Sequence, residues 1–297
     1  NENMSGFPPV FVGVMEDVYV NNIGNFVRIE ENDGDEIQFA SFFQFSQEIL
    51  KKALPVKDIQ YHLDVDTALV LIRPGDHIFG HWLIDMIPRV WILKKSGFSR
   101  NVKFIVRQGI PNFAIEMLNI AGVYRRDIIE VDVRNTLLKI KNGIYVMNLR
   151  ADQTVHTALG EFSSWWRDRV YSFYDNRSTL GNVKLPKRIY VSRRNWKKNA
   201  PNRRCINADF VEEYLRNKLN LFLFHPENYS FIDQVKIFSQ AEIIFGEEGS
   251  GLHNSLFSPE DSIVVTLRNE KNLGLIQSGL CRSRNQIISA VFGDFLD

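Results

Sequence analysis

The pattern of apolar and polar positions changes character near residue 66. Before it, short alternating runs such as VFVGVMEDVYV, separated by Asn- and Gly-rich turn sequences, are typical of half-buried β-strands. After it, short continuous apolar runs such as TALVLI alternate with segments of helical periodicity such as HWLIDMIPRVWILKKSGF. Apolar strands joined by helices form parallel sheets that are covered on both faces. The pattern therefore predicts an α/β protein whose first sixty residues are β-rich.

This alternation of strands and helices occurs twice, on either side of the polar connector DNRSTLGNVKLPK. The first run contains LLKIKNGIYVMN, in which the Asn142–Gly143 pair predicts a β-hairpin. The second run begins with the strand RIYVSRR and continues to SIVVTL. We predict two Rossmann-like domains, residues 1–180 and 181–297, that face each other across a ligand-binding cleft.

One predicted helix, GHWLIDMIPRVWIL, is apolar on nearly every side except for a polar stripe. His81, Asp85 and Arg89 are spaced four residues apart and therefore project from the same face. Buried charges are costly unless they are paired or reach a cleft. Two interpretations stay open: Asp85 bridges His81 and Arg89 in a structural network, or the His–Asp pair accepts a proton from an attacking hydroxyl.

A basic run between residues 187 and 204 contains eight lysines and arginines and no acidic residue. Such a run is most often a solvated surface and sometimes a nucleic-acid site. Here Arg193 and Arg194 follow the strand RIYV, at the sheet edge where open α/β sheets bind ligands. The fork of an arginine side chain suits a diphosphate, so these two residues are candidate ligands for one.

The stretch IIFGEEGSGLHNSLF predicts a strand, a glycine-rich turn and a helix. Backbone amides of Gly249, Ser250 and Gly251 at the predicted helix start would favour a phosphate. The glycine spacing differs from the G-x-G-x-x-G fingerprint of nicotinamide-binding domains, which belongs in a first βα unit. Glu247 and Glu248, directly before these glycines, require a separate explanation because an anion site should disfavour carboxylates.

The composition of the chain mainly argues against certain partners and locations. The 297 residues are 44% hydrophobic and 24% charged, with a net charge of +1, so no overall field attracts nucleic acid or membranes. We expect no transmembrane segment, because no window approaches eighteen uninterrupted apolar residues. Cys205 and Cys281 allow one disulfide at most, which suggests a reducing compartment or has no bearing on location. The start has no signal-peptide profile, so we expect a cytoplasmic location, and a removed leader or anchor stays open as the alternative. The oligomeric state is not predicted.

Several motifs together resemble glycosyltransferase family 61. They are, in order, GHWLIDMIPRV, RIYVSRR, RRCINADFV and SFIDQVKIFSQAEIIFGEEGSGLHNSLFS, and the resemblance spans about Gly75 to Val265. The family includes plant xylan-decorating enzymes, animal O-linked N-acetylglucosaminyltransferases and bacterial capsular-polysaccharide biosynthesis proteins. Where family members often have a histidine before the first glycine of the last motif, this chain has Glu248, a pattern nearer the bacterial branch.

The resemblance implies a GT-B fold and an inverting transfer from a nucleoside diphosphate (or monophosphate) sugar to a hydroxyl of a glycan or glycoconjugate, with no metal or other cofactor. We expect Asp85, ahead of His81, to be the base, with Arg89 in acceptor binding or in the network. Glu247 and Glu248 would bind hydroxyls of the donor or anchor arginines. Asn207 and Asn254 would brace helices or contact the donor. Phe231 or Tyr229 would pack on the nucleobase of the donor. The donor-binding set is Arg193, Arg194, Arg204, Asn207, Glu247, Glu248, Gly249, Ser250, Gly251 and Asn254.

The sequence leaves two other functions open. The first is a catalytically silent protein of the same fold that binds a sugar or nucleotide. The second is a nicotinamide- or flavin-dependent oxidoreductase built on paired Rossmann domains.

Overall fold

A computed structural model describes residues 9–29, 36–40, 61–98, 101–151, 154–174, 180, 183–195, 205–269 and 274–293. The chain divides into two compact units, Asn1–Asp152 and Gln153–Asp297. Each unit has its own sheet with parallel strands and flanking helices, which confirms the predicted α/β class.

The first unit contains eight described strands and two longer helices. Helix α1 spans residues 79–95, and helix α2 is Asn112–Ile120, with a short 3-10 helix at Arg125–Asp127. The strands are β1 Val12–Val20, β2 Phe26–Ile29, β3 Glu36–Ala40, β4 Tyr61–Val70, β5 Lys103–Arg107, β6 Ile128–Val131, β7 Thr136–Val146 and β8 Arg150–Ala151.

The main sheet of this unit has seven strands in the order β3-β2-β1-β7-β4-β5-β6. Strands β1, β2 and β3 pair antiparallel, as the β-rich start predicted, whereas β7, β4, β5 and β6 are parallel to one another. The chain leaves β4 toward β5 on one side, and β7 lies on the other side of β4. The carboxyl ends of β4 and β7 therefore form a topological switch point, where sheets of this kind bind ligands.

Helix α1 changes its winding where it carries its polar residues. Phe79–His81 and Ile87–Lys95 are α-helical, whereas Trp82–Met86 is a π-helix in which the N–H of Ile87 donates to the carbonyl of Trp82. Pro88 has no N–H, and its ring would meet the carbonyl four residues earlier in a regular α-helix. The wider π turn just before Pro88 relieves this conflict, and such turns are frequent at functional sites.

The predicted hairpin at Asn142–Gly143 is wrong, because β7 is continuous through both residues. The Asn142 side chain donates to the carbonyl of Asp66 on β4, over 3.2 Å. A Cβ atom at Gly143 would lie only 2.6 Å from Val18 and 2.8 Å from Phe26. The glycine thus allows neighbouring chain segments to approach each other closely instead of forming a turn.

The second unit contains a five-stranded, fully parallel sheet in the order β11-β10-β12-β13-β14. The strands are β9 Thr154–Val155, β10 Arg188–Val191, β11 Phe222–Phe224, β12 Ile243–Glu247, β13 Ile263–Asn269 and β14 Ile287–Gly293. The helices are α3 Ala158–Tyr174, α4 Ala208–Leu219, α5 Phe231–Ser239 and α6 Ile276–Ser283, with 3-10 helices at Pro226–Asn228 and Ser250–Phe257.

The switch point of this second sheet lies between β10 and β12. The chain leaves β10 toward β11 on one side, and β12 pairs with the other side of β10. The carboxyl ends of β10 and β12 are Val191 and Glu247, so the residues after them meet at one edge. The topology therefore brings together the two segments that the sequence singled out, Arg193–Arg194 and Glu247–Gly251.

The boundary between the two units falls earlier in the chain than the predicted boundary at residue 180. The reason is helix α3, which packs against α5, α6 and the 3-10 helix Ser250–Phe257 of the second unit. Its buried aromatic residues include Trp166, whose ring lies 5.9 Å from that of Phe231. Most of the polar connector, residues 175–179 and 181–182, lies outside the described residues.

Candidate functional site

Asp85 is the centre of a first polar cluster, formed with Arg73, His81 and Arg150. Its carboxylate is completely buried. Arg150 donates from Nε to Oδ1 over 2.8 Å and from Nη2 to Oδ2 over 3.0 Å, and Arg73 donates from Nη1 to Oδ2. His81 Nδ1 lies 2.9 Å from the same Oδ2. One carboxylate thus binds two guanidinium groups and an imidazole.

The two arginines arrive at Asp85 from the switch point of the first sheet. Arg73 follows β4, and Arg150 begins β8 shortly after β7. Their side chains are only 10% and 12% exposed. Because β4 and β7 are neighbours, the residues after their carboxyl ends converge on the π-helical turn that carries Asp85.

These contacts keep Asp85 ionised. Burial alone would raise the pKa of Asp85, but hydrogen bonds from His81 and Arg150 and the charge of Arg73 hold the pKa well below its ordinary value. A carboxylate so strongly stabilised as an anion is a poor proton acceptor. The ranking of Asp85 ahead of His81 as the base stays a prediction, and a permanently anionic Asp85 is equally suited to orienting His81.

His81 is the group in this cluster with a ring nitrogen left for chemistry. Burial lowers the pKa of His81, so the imidazole is neutral at pH 7. An ionised Asp85 can only accept, so Nδ1 of the neutral ring carries the proton and Nε2 presents a lone pair. The side chain is 26% exposed. A Cβ atom at Gly75 would lie 3.0 Å from Cδ2 and 3.2 Å from Nε2, so this glycine leaves space beside the imidazole edge.

Arg89, the third member of the predicted stripe, is completely buried in α1, and burial lowers its pKa to about 9. Arg73 and Arg150 also donate to Asp85, and the stripe did not include either of them. One signal could have suggested Arg73, a charged residue directly after the apolar strand TALVLI. The sequence places Arg150 far from this helix, and only the strand order brings it near.

A second polar cluster lies at the switch point of the second sheet, formed by Arg193, Glu247, Glu248, Gly249 and Arg268. The backbone N–H of Arg193 donates to Glu247 Oε1 over 3.2 Å. Arg193 Nη1 donates to the carbonyl of Glu248 over 2.6 Å, which lays its guanidinium across the glycine-rich turn. Arg268 Nη2 donates to Glu248 Oε1 over 2.8 Å. Arg268, on β13, was not anticipated from the sequence.

Gly249 has a backbone that side-chain-bearing residues avoid. Its φ is 156° and its ψ is 179°, a region essentially restricted to glycine. A Cβ atom there would lie 3.1 Å from Arg193 Nη1. The following segment, Ser250–Phe257, is helical as predicted but winds as a 3-10 helix. Gly251 packs closely on Pro226 and Val191.

The two glutamates act differently. Glu247 is buried, and burial raises its pKa, although the N–H of Arg193 and the charge of Arg193 partly oppose that effect. Glu248 forms an ion pair with Arg268, whose side chain is 8% exposed. Of the two predicted roles, anchoring of an arginine describes Glu248, but its partner is Arg268.

Arg194 is turned toward helix α4. It pairs with Asp209 and lies 3.4 Å from Glu212 Oε2, and its side chain is 49% exposed. Glu212 is buried and accepts from Ser192 Oγ over 2.5 Å. These acidic residues of α4 therefore hold the strand end from which Arg193 projects.

Other predicted donor contacts have structural partners or lie outside the described residues. Asn254 is completely buried and donates to Gln234 over 2.8 Å, which braces α5. Asn207 occupies the N-cap position of α4 without a capping side-chain bond. Arg204 is outside the described residues.

The predicted aromatic platforms have partners within the second unit. Phe231 is buried beside Trp166, and Tyr229 stacks on Phe224 with a centroid distance of 5.0 Å. Both cysteines are free thiols. None of the described helices combines the length and apolar character needed to cross a lipid bilayer.

Comparison with known protein families identifies the chain. The family model described as Glycosyltransferase 61 matches residues 79–265, more than half of the sequence. The chain belongs to glycosyltransferase family 61. The family match supports a transferase. Arg73 and Arg268 lie just outside the matched range, which includes the other main residues of the two clusters: His81, Asp85, Arg150, Arg193 and the turn after β12. A search of curated proteins found no match.

Proposed function

We propose that this family 61 protein is an inverting glycosyltransferase. It moves a sugar from a nucleoside diphosphate (or monophosphate) donor to a hydroxyl of a glycan or glycoconjugate acceptor. The observation that carries this proposal is the pairing of His81 Nδ1 with the buried, doubly arginine-bound carboxylate of Asp85. This arrangement orients a neutral imidazole and stabilises the imidazolium that forms when the ring accepts a proton.

In the proposed reaction His81 is the base and Asp85 orients it. The acceptor oxygen attacks the anomeric carbon while its proton passes to His81 Nε2. The bond between the anomeric carbon and the phosphate oxygen breaks, and its electron pair leaves with the nucleoside diphosphate. Attack from the face opposite to the leaving group inverts the anomeric configuration.

The donor diphosphate is assigned to the second polar cluster. Arg193 projects from the carboxyl end of β10, where its guanidinium is fixed by the carbonyl of Glu248. Gly249 has no side chain, so its backbone lies directly beside this guanidinium. Fixed positive groups of this kind stabilise the charge that develops on a leaving diphosphate, so the proposal requires no metal or other cofactor.

The proposal includes a GT-B fold, in which the first unit serves the acceptor and the second unit serves the donor. Each unit contributes a sheet in which parallel strands end at a switch point with polar residues. One architecture hosts many specificities, so the donor base, the sugar and the linkage position need direct measurement.

The central test is a panel of nucleotide sugars incubated with the whole chain and read as released nucleoside diphosphate. With a donor in hand, His81→Ala should lower turnover by about 10²–10⁴-fold, the usual contribution of a positioned acid–base group. Lys95→Ala, an exposed change near the end of the same helix, is the control. Turnover that survives His81→Ala would reject the base assignment.

A thermal-shift screen separates the transferase from an oxidoreductase. We expect UDP, GDP or CMP to raise the unfolding temperature and NAD to leave it unchanged, because a ligand that binds only the folded state stabilises it. Stabilisation by NAD alone would support the oxidoreductase. Nucleotide binding without transfer to any acceptor would support a catalytically silent protein.

A further inference from the structure

Helix α4 has an apolar face that points to solvent. On its inner side Leu215 is buried and packs in one cluster with Tyr190 of β10. On its outer side Phe210 is 68% exposed and Tyr214 is 49% exposed, and their rings stack with a centroid distance of 6.4 Å. Ile206, directly before the helix, is 75% exposed. The buried side therefore fixes the helix, while two aromatic rings and an aliphatic side chain stay exposed.

This exposed face is large enough to bind another protein surface. Aromatic side chains carry roughly 150–250 Å² each, so the exposed fractions of Ile206, Phe210 and Tyr214 correspond to on the order of 400 Å². Single exposed apolar residues are common, but a patch of about 300–600 Å² is often an interaction site. A standard interface buries about 800 Å² on each partner, so the apolar face supplies about half of that area. Charged residues beside it can supply a polar rim.

Two of these charged residues indicate which partner fits the face. Glu213 follows Phe210 by three residues and Arg216 follows Glu213 by three, so both lie along one border of the face. Both are exposed, and neither forms an ion pair within the part of the chain that the structure describes. A second copy of α4 that runs antiparallel would place Arg216 opposite Glu213 at both ends of the contact, whereas a parallel copy would bring like charges together.

From these observations we propose that the chain forms a homodimer through this face of α4. The two helices pack antiparallel about a two-fold axis near Tyr214. Phe210 of each copy packs on the second half of the other helix, and Glu213 of each copy pairs with the partner's Arg216. This inference goes beyond the proposed function and does not depend on it, because it uses no residue of either polar cluster.

The first measurement is the molar mass of the whole chain by analytical ultracentrifugation, at concentrations from about 1 to 100 μM. No donor or acceptor is added. We expect the mass to rise from that of one chain to that of two as the concentration increases. Phe210→Ala should raise the dissociation constant about tenfold or more, because a buried aromatic residue near the centre of an interface often contributes that much. Phe11→Ala, which shortens an exposed aromatic residue of the first unit, should leave the dissociation constant unchanged.

Charge reversal tests the antiparallel arrangement. Glu213→Arg and Arg216→Glu should each weaken the dimer about tenfold or more, because each substitution places like charges at both ends of the contact. An equimolar mixture of the two variants should dimerise again, since each variant chain then meets the opposite charge on the other. Arg126→Glu, which reverses an exposed charge in the first unit, should leave the wild-type dimer intact. Circular dichroism should show the same helix content in every variant, because these positions are exposed.

A mass of one chain at every concentration would overturn the proposal, as would a dimer that is unaffected by Phe210→Ala. Failure of the mixed variants to associate would overturn the antiparallel arrangement. A monomer that binds vesicles of phosphatidylcholine and phosphatidylglycerol, and loses that binding on Phe210→Ala, would overturn the dimer and assign the face to a membrane. Since no nucleotide sugar is present, a negative donor panel would disprove the transferase and leave these results unaffected.

Discussion

Each unit has a buried carboxylate beside the switch point of its sheet, and the two carboxylates have opposite acid–base character. Asp85 lies beside the switch point of the first sheet, and Glu247 ends β12 at the switch point of the second. Two arginine side chains and an imidazole bind Asp85, and its pKa falls. Glu247 accepts from a backbone N–H of Arg193, and its pKa rises because burial dominates.

This difference shows that burial and position in the fold do not determine the protonation of a carboxylate. The number of charged donors that reach it decides whether desolvation or attraction prevails. Asp85 is consequently suited to be a permanent anion that orients His81. Glu247 costs folding energy when it ionises, and its contact with Arg193 shapes the strand end.

The largest expected effect is that of Asp85→Asn. The substitution removes the buried charge that two largely buried arginines bind, which should destabilise the chain by about 3–5 kcal/mol at pH 7 in chemical denaturation. The wild-type pKa is lowered on folding, so the contribution of Asp85 is complete above about pH 4 and is lost as the pH falls through its folded pKa. The difference in unfolding free energy between Asp85→Asn and the wild type should therefore become smaller at acidic pH.

The exposed Asp64 on β4 supplies the control for this comparison. Asp64→Asn should leave stability within about 0.5 kcal/mol of the wild type. If Asp85→Asn behaved in the same way at pH 7, the cluster would not hold an essential anion.

Gly249→Ala should have the next largest effect. Forcing alanine into this backbone region costs about 1–3 kcal/mol, and the new methyl group meets the Arg193 guanidinium. We expect lower stability together with weaker binding of UDP, GDP or CMP, measured by thermal shift and calorimetry. Gly97→Ala is a control for a positive-φ glycine away from the turn, because Gly97 has a φ of 74° and no atom within 4 Å of an added Cβ. Equal nucleotide affinity in both variants would contradict the placement of the diphosphate beside Arg193.

The ion pair of Glu248 with Arg268 should show measurable coupling. A double-mutant cycle of Glu248→Ala and Arg268→Ala in urea denaturation should give an interaction energy of about 0.5–3 kcal/mol. The matching cycle on the exposed pair Lys187–Glu242 should give about 1 kcal/mol or less, since both of those side chains are mostly solvated. An interaction energy near zero would show that the ion pair of Glu248 with Arg268 does not stabilise the second polar cluster.

The smallest effect, and the one that most sharpens the comparison, is that of Glu247→Gln. A raised folded pKa means that the native state binds more protons, so ionisation of Glu247 lowers stability as the pH rises from its unfolded toward its folded pKa. The variant should be at least as stable as the wild type at pH 7, and any advantage should vanish below about pH 4. Loss of stability on this substitution would show that Glu247 and Asp85 act alike.

The sequence by itself determined the α/β class and part of each site. Alternation of apolar runs with helical periodicity predicted the α/β class, and the spacing of His81 and Asp85 predicted that they share a helix face, which the 2.9 Å contact between them confirms. Both signals are local, because side-chain direction in strands and helices repeats every few residues.

Only the tertiary structure decided which charges complete these sites. Strand order brings Arg73 and Arg150 to Asp85 and Arg268 to Glu248, across separations in the chain that no local period records. The Asn142–Gly143 pair, which locally favours a turn, lies within a strand because Val18, Phe26 and Asp66 pack against it. The protonation of Asp85 and Glu247 likewise depends on burial and on charges from distant parts of the chain, and both effects arise only when the chain is folded.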